Sequence, residues 1–233
     1  MFTKTAEWYD ALYGFKDYQK ESDNILSLLT KEHPSATTVL DVACGTGEHG
    51  RYLSKHYVLD GLDISRDFVN IAEAKNPQGQ YFCADMTHFD LQKKYDVVMC
   101  LFSSIGYVQT RDNLEKSLTC FVQHLNPGGI ILVEPWFTPE TWRPDGTVHL
   151  LTTETDDGKI CRMNISETEG KLSVILFHYL VGTSAGVEHH TECHKLGLFT
   201  KNEMLKAFTG AELQVRYDEE GLMGRGLYIA RAA

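Results

Sequence analysis

Apolar runs and amphipathic stretches alternate along the first half of the chain. Short, nearly continuous apolar runs are typical of strands that are covered on both faces. They lie at residues 37–42, 58–62, 80–84, 95–102 and 130–134. Stretches with one apolar side, typical of helices, lie at residues 17–30, 49–56, 66–75 and 113–124. Because strands that alternate with helices form right-handed βαβ units, this half predicts a parallel sheet with helices on both faces.

The pattern changes at about residue 138, after which the chain is rich in strand-forming residues. Four segments are separated by turn residues, and this pattern is typical of hairpins and an antiparallel accessory sheet. The segments are 147–155, 159–167, 171–181 and 187–198. A helix at 201–209 and two strands at 213–217 and 226–231 then return the chain to the main sheet.

Composition limits the class of protein. The chain has 233 residues, of which 42% are hydrophobic, enough for one large domain with a substantial core. With 22 basic and 32 acidic side chains the net charge is −10, which argues against nucleic acid as the main partner. No apolar run approaches the roughly 20 residues of a membrane span, and the N-terminus lacks a signal pattern. We therefore expect a cytoplasmic protein that binds neither nucleic acid nor membrane.

Six cysteines are scattered along the chain, and no two of them form a CxxC pair. Several lie within apolar runs, where a thiol behaves as a small hydrophobic side chain. This spacing predicts neither a disulfide framework nor a structural zinc site.

A glycine-rich turn follows the first predicted strand, in the sequence VLDVACGTGEHG at residues 39–50. Gly45 and Gly47 remove side chains where a ligand would approach the backbone, and the helix that follows presents free N–H groups. Gly45, Gly47 and Gly50 also satisfy the pattern GxGxxG. A nicotinamide-dependent oxidoreductase is therefore an alternative interpretation of this turn.

Acidic residues at three successive strand ends favour a different ligand. Asp41 lies within the first strand, where its carboxylate can bind a cationic amino group. Asp63 ends the second strand, where a carboxylate can accept hydrogen bonds from both hydroxyls of a ribose. After the third strand, Asp85 and Met86 offer a carboxylate for the adenine amino group and an apolar side chain for the ring. S-adenosylmethionine fits this set, because it carries an ammonium, a sulfonium and an adenosine but no phosphate.

The motif DVACGTG, Asp63, the NPGG turn and the C-terminal hairpin resemble the class I S-adenosylmethionine-dependent methyltransferases. The sequences AEWYD, KDY, LFSSIGY, VEPWFTPE, HHTECH, LFT and GRGLY resemble, more narrowly, bacterial N,N-dimethyltransferases of nucleotide-linked amino sugars. Glycine and sarcosine N-methyltransferases are more distant relatives. The expected fold is α/β, with a Rossmann-like doubly wound, mostly parallel seven-stranded sheet and an antiparallel β-rich insertion. Residues 1–137 and 199–233 form the expected cofactor-binding core, and residues 138–198 form the expected substrate cover.

This resemblance implies S-adenosylmethionine as cofactor and a small-molecule methyl acceptor. The expected cofactor contacts are Tyr18, Asp41, Ala43, Gly45, Gly47, Asp63, Ile64, Asp85, Met86 and Leu101. The resembled enzymes place substrate-directed or methyl-directed roles on residues that match Tyr9 and Arg225. Their functional histidine after SSIG is matched here by Tyr107, which we take as the third catalytic candidate. A phenol donates and accepts hydrogen bonds but is a poor base at neutral pH, because its pKa is about 10.

Residues at the ends of the later strands and in the accessory segment are the candidates for substrate binding. They are Tyr13, Ser104, Glu134, Trp136, His178 and His190. Packing is the alternative explanation for the aromatic candidates, and a surface ion pair is the alternative for Arg225. We expect a monomer or a homodimer.

The run HHTECH at residues 189–194 looks like a metal-binding cluster. On a strand, His190, Glu192 and His194 share one face, because side chains alternate. However, steps of roughly 6–7 Å along an extended strand are too wide for one ion without a bend. Lining of the substrate pocket, surface of the accessory sheet and metal binding all remain open, and the first is favoured over a metal site.

Direct transfer of a methyl group to an amine is the favoured reaction, because an amine near neutral pH needs only a proton acceptor or a dry pocket. Methylation of a hydroxyl or phosphonate oxygen is the alternative within the same class of enzyme. Two alternatives lie outside it: the nicotinamide-dependent oxidoreductase, and a nucleoside-binding or oligomer-scaffold domain that has kept the glycine turn without catalysis.

Overall fold

In a computed structural model of the chain, the described residues are 6–144, 146 and 148–232, apart from the side chain of Glu7. Residue 147, the expected start of the first accessory strand, lies outside the described residues. Residues 1–5, to which the expectation about a signal pattern applies, also lie outside them, as does residue 233.

The larger of two sheets has seven strands in the order β10-β11-β5-β4-β1-β2-β3. Its strands are β1 (Thr38–Val42), β2 (Val58–Asp63), β3 (Tyr81–Cys83), β4 (Tyr95–Cys100), β5 (Leu125–Val133), β10 (Leu213–Asp218) and β11 (Leu227–Ala232). Strands β1 to β5 run parallel to one another, whereas β11 runs antiparallel to both β5 and β10. The expected α/β class with a mostly parallel seven-stranded sheet is therefore confirmed.

Helices cover both faces of this sheet. They are α2 (Tyr18–Glu32), α3 (Glu48–Leu53), α4 (Arg66–Lys75), α5 (Arg111–Gln123) and α6 (Lys201–Gly210), while the short helix α1 (Tyr9–Leu12) packs against the smaller sheet. Residues of α5 and α6 pack with one face of the sheet, and residues of α2 and α3 pack with the other. Side chains of Ser65, Thr110 and Thr200 accept hydrogen bonds from the first turns of α4, α5 and α6, which fixes where these helices begin.

The smaller sheet is antiparallel and has four strands in sequence order. They are β6 (His149–Thr155), β7 (Gly158–Glu169), β8 (Leu172–Thr183) and β9 (Gly186–Gly197). Buried side chains on one face, such as Ile160, Phe177 and Leu196, share a core with Leu12 of α1 and with Trp142. The sheet therefore packs with the N-terminal segment, close to the edge where the parallel strands end.

Two local structures differ from the expectation. The NPGG segment lies inside β5, and the pairing of β4 with β5 shifts between Tyr95 and Val97 to accommodate it. The strand expected at 95–102 ends at Cys100, because Phe102 and Ser103 have φ angles of 50° and 62°. A short 3₁₀ helix, Ser104–Val108, follows them. Among the described residues, no helix is both long enough and apolar enough to cross a lipid bilayer.

Candidate active site

The glycine turn after β1 has a left-handed backbone, with φ angles of 59° at Ala43, 56° at Gly45 and 75° at Gly47. Apart from the chain neighbours of Gly45, no atom of the described residues lies within 4 Å of the position where it would carry a Cβ, so its backbone conformation is the reason for glycine there. At Gly47, a Cβ would lie 2.8 Å from Nδ2 of Asn76 and 3.0 Å from Cβ of Ala72. Close packing with α4 therefore also requires glycine at position 47.

Asp63, at the end of β2, is buried beside the glycine turn. Its carboxylate accepts hydrogen bonds from the backbone N–H groups of Gly45 and Ser65, both at 2.9 Å. Burial raises the pKa of Asp63, and these backbone donors act in the opposite direction. The turn and the strand end thus hold a carboxylate in a fixed orientation at the wall of a cavity.

Asp41 carries a buried carboxyl group near the carboxyl end of β1, and the residue as a whole is 2% exposed. Its Oδ2 atom has no hydrogen-bond partner among the described residues. Burial, followed by the proximity of Asp63, raises the pKa of Asp41 to about 8. A buried acidic oxygen without a partner is costly, and a cationic ligand would satisfy it.

The cavity at this edge of the sheet has a volume of about 400 Å³. Asp63, Ile64, Asp85 and Met86 line one end of it. A recess of about 40 Å³ adjoins it and is lined by Tyr18, Asp41, His49 and Leu101, among others. Tyr9, Ala43, Gly45, Phe102 and Ser104 line both spaces. The predicted cofactor contacts therefore lie along one continuous space, except that Gly47 packs against α4 instead of lining it.

Asp85 has a structural role as well as a place in the cavity wall. Its Oδ1 atom accepts hydrogen bonds from the backbone N–H and the hydroxyl of Thr87, both at 2.8 Å. These bonds fix the turn that follows β3, and Met86 lines the cavity beside it.

A second part of the cavity wall, the aromatic end, consists mainly of aromatic side chains and includes one cationic group among the described residues. Tyr9, Tyr13, Tyr107, Trp136 and Arg225 line it. Four residues of the accessory sheet complete this wall: Ile175, Phe177, His194 and Leu196. The cavity thus lies between the carboxyl edge of the main sheet and the buried face of the accessory sheet.

Arg225 and Tyr107 are held in place by their neighbours. The guanidinium of Arg225 lies 5.0 Å from the ring centroid of Phe102, and its Nη1 is 3.4 Å from Oγ of Ser103. The hydroxyl of Tyr107 is 2.7 Å from Nδ1 of His194. Burial raises the pKa values of Tyr9 and Tyr107 well above their usual value.

Three of the expected substrate residues lie outside the cavity wall. Glu134 is buried and accepts a hydrogen bond of 2.6 Å from the backbone N–H of Phe102, so it braces the loop after β4. His178 lies on the face of β8 opposite to Phe177, because neighbouring side chains alternate. His190 contacts the ring of Trp8 at 5.5 Å between centroids.

Several residues that line the two spaces are not among the predicted site residues, such as His49, Phe68 and Phe102, and His194 is named only within the HHTECH run. The sequence carries a signal for His194, because alternation along a strand places it on the same face as His190. Within the part of the chain that the structure describes, no three His, Cys, Asp or Glu side chains form a group that could hold a metal ion.

S-adenosylmethionine fits the residues of this space. The unpartnered Oδ2 of Asp41 suits its ammonium, and the buried carboxylate of Asp63 suits the ribose hydroxyls. Asp85 and Met86 suit the adenine. A pyrophosphate would instead meet two buried carboxyl groups at the glycine turn, which argues against a dinucleotide.

Comparison with known proteins supports this interpretation. Residues 39–129 match a family of methyltransferase domains. The chain is 38% identical over 227 residues to a dTDP-3-amino-3,6-dideoxy-alpha-D-glucopyranose N,N-dimethyltransferase of Streptomyces fradiae, with 96% of this chain and 89% of that protein covered. It is 37% identical over 228 residues to a dTDP-3-amino-3,4,6-trideoxy-alpha-D-glucopyranose N,N-dimethyltransferase of Streptomyces venezuelae, with 96% of each covered.

Solved structures show the same relationship. DesVI of Streptomyces venezuelae superposes with a TM-score of 0.92 at 36% identity, and the match covers 100% of both chains. CalS10, an amino pentose methyltransferase of Micromonospora echinaspora whose structure contains S-adenosylmethionine, gives a TM-score of 0.86 at 28% identity, over 100% of this chain and 98% of that one. The chain therefore belongs to the S-adenosylmethionine-dependent methyltransferases, in the family that includes the dTDP-amino-sugar N,N-dimethyltransferases.

Proposed function

We propose that this methyltransferase acts on the amino group of a nucleotide-linked amino sugar. The observation that carries the proposal is the extent of the similarity to the two Streptomyces dimethyltransferases, which covers 96% of this chain. The similarity thus includes the accessory sheet, which forms the wall of the cavity opposite the cofactor contacts. Both relatives are named for dTDP-linked amino sugars.

The cofactor end of the cavity binds and orients S-adenosylmethionine. S-adenosylmethionine, when bound, supplies an electrophilic methyl group on a sulfonium. Asp41 holds the ammonium, and Asp63 accepts hydrogen bonds from the ribose hydroxyls. Asp85 and Met86 hold the adenine. Tyr18, Ala43, Gly45, Ile64 and Leu101 complete the contact surface. Holding the donor in one orientation is the main contribution of the protein to an in-line displacement.

The aromatic end of the cavity receives the acceptor. Arg225 binds the diphosphate of the nucleotide, since a guanidinium forms paired hydrogen bonds with phosphate oxygens. Tyr13, Ser104 and Trp136 hold the sugar, while Tyr9 and Tyr107 face the amine. An ammonium nitrogen becomes a nucleophile once it has lost a single proton, whereas a hydroxyl group needs a much stronger base to lose its proton.

A panel of acceptors incubated with methyl-labelled cofactor tests this function. The panel contains a dTDP-linked 3-amino sugar, the matching 3-hydroxy sugar, the free amino sugar and glycine. We expect label in the dTDP-linked amino sugar, and much less in the free amino sugar, which lacks the diphosphate that Arg225 binds. Transfer to the 3-hydroxy sugar would support O-methylation instead. Absence of transfer to every acceptor would contradict the proposal.

Arg225→Gln tests the acceptor end within the same assay. Losing the charge should raise KM for the dTDP-linked sugar by about tenfold or more, because a charged hydrogen bond contributes about 1.5–3 kcal/mol. The dissociation constant of S-adenosylhomocysteine should stay unchanged. An equal loss of both affinities would show that Arg225 supports the fold rather than the acceptor.

We also propose that the protein acts in the cytoplasm. All six cysteines are free, and one of them, Cys193, is exposed. Free exposed thiols are typical of a reducing compartment. A monomer or a homodimer remains the prediction for the oligomeric state, and light scattering of the purified protein measures it.

A further inference from the structure

A chain of hydrogen-bonding groups leads from the cavity into the accessory sheet. It begins at Tyr107, whose hydroxyl is 2.7 Å from Nδ1 of His194. Nε2 of the same imidazole is 3.4 Å from Oε2 of Glu192. The hydroxyl of Tyr179 is 3.5 Å from that carboxylate oxygen. His194 and Glu192 are 1% and 6% exposed, so the inner part of this chain is shielded from bulk water.

The positions of these groups define one arrangement of protons. Nε2 of His194 faces a carboxylate oxygen and therefore carries the hydrogen. Nδ1 is then the acceptor for the phenolic O–H of Tyr107. Burial lowers the pKa of His194, so the imidazole is neutral at neutral pH and able to take up a proton.

We propose that Tyr107, His194 and Glu192 form the route by which the acceptor's ammonium group loses its proton before methyl transfer. This inference rests on the proposed function. The N–H bond of the ammonium breaks, and its proton moves to the oxygen of Tyr107 as the phenolic proton moves to Nδ1 of His194. The electron pair of that N–H bond stays on nitrogen as the nucleophilic lone pair. The imidazolium that results lies next to Glu192, which stabilises its charge.

This route explains how a tyrosine can occupy the position where the resembled enzymes carry a histidine. A phenol alone is a poor base, and burial raises the pKa of Tyr107 further. Because the phenol passes on its own proton as it receives another, it never has to exist as a phenolate. The base is His194, which acts through Tyr107.

Charged and titratable groups surround His194 on each packed element. Glu192 lies on the same strand, Tyr107 on the 3₁₀ helix and Tyr179 on β8. Arg162 of β7 acts electrostatically to lower the pKa of His194. Its Nη1 donates a hydrogen bond of 3.1 Å to the hydroxyl of Tyr13. Glu192 therefore favours the imidazolium form of His194, whereas burial and Arg162 disfavour it.

The test is the pH dependence of kcat/KM for the dTDP-linked amino sugar in the wild-type enzyme, His194→Gln and Tyr107→Phe. The wild type should stay nearly constant from neutral pH up to the pKa of the acceptor's ammonium group. Without the route, only acceptor that is already neutral in solution can react. Activity of either variant should therefore fall by about tenfold for each pH unit below that pKa.

The matched control is His189→Gln, which makes the same change at an exposed position of the same strand and should follow the wild-type profile. The double variant should lose no more activity than either single variant, because both changes interrupt one route. A loss that is the same at every pH would overturn the inference, since it would show a packing role. If His194→Gln does not fold, the pH dependence of kcat/KM in Tyr107→Phe alone tests the inference. Absence of transfer by the wild type would instead refute the proposed function and, with it, this inference.

Discussion

At Asp63, one carboxylate both fixes the glycine turn and faces the cavity. The backbone N–H groups of Gly45 and Ser65 each donate to it at 2.9 Å, and the residue is 7% exposed. Asp63→Ala should raise the dissociation constant of S-adenosylhomocysteine by about ten- to a hundredfold, because charged hydrogen bonds contribute about 1.5–3 kcal/mol. Titration calorimetry measures it, with Asp67→Ala, an exposed acid of α4, as the control. An unchanged affinity would remove Asp63 from the cofactor site.

Asp41 predicts a pH effect on stability. Its pKa is about 8 in the folded protein because of burial, and about 4 in the unfolded chain. Between these values the folded protein binds a proton that the unfolded chain lacks, so the free energy of unfolding falls as pH rises. Asp41→Asn should reduce this slope in thermal unfolding measured from about pH 5 to pH 9.

The same variant should bind S-adenosylmethionine more weakly, since an amide cannot offset the charge of an ammonium. Asp67→Asn is the matched control for both measurements. If Asp41→Asn unfolds with the wild-type pH dependence and keeps the wild-type cofactor affinity, Asp41 does not hold the ammonium.

At the scale of elements, α1 is fastened to the glycine turn through Asp10. One carboxylate oxygen accepts a hydrogen bond of 2.6 Å from Thr46, and the other is 2.5 Å from Nζ of Lys75 in α4. Lys75 also pairs with Glu48 at 2.6 Å. These contacts hold Tyr9 and Tyr13 over the cavity.

Asp10→Ala should therefore speed the dissociation of S-adenosylhomocysteine by about fivefold, because partly exposed ion pairs contribute up to about 1 kcal/mol. Stopped-flow fluorescence measures the rate. Asp23→Ala, which removes an exposed acid from α2, should leave it unchanged. An equal rate in both variants would mean that α1 does not retain the cofactor.

The sequence predicts strand ends better than it predicts which face of an element turns inward. Asp63 follows from its place at the end of an apolar run, because parallel strands end at one edge of the sheet. The position of His178 cannot be predicted in this way. Alternation along β8 separates its two faces, but only the register with the neighbouring strands shows which face is directed toward the cavity. Gly47 has a packing role with α4 that only the tertiary structure shows.

At the scale of the whole molecule, the catalytic space belongs to neither sheet alone. The main sheet supplies the acidic groups and the accessory sheet supplies Phe177 and His194. The two sheets could be predicted from local patterns. Their contact could not, because it depends on residues far apart in the chain, such as Trp136, whose Nε1 donates a hydrogen bond of 2.8 Å to Ser173.

A crystal structure of the protein with S-adenosylhomocysteine and a dTDP-linked amino sugar tests the central claim most directly. We expect adenosine between Asp63 and Met86, and the sugar nitrogen beside Tyr107 on the side that faces the cofactor sulfur. A sugar hydroxyl at that place, a sugar bound away from the accessory sheet, or a pyrophosphate across the glycine turn would contradict it.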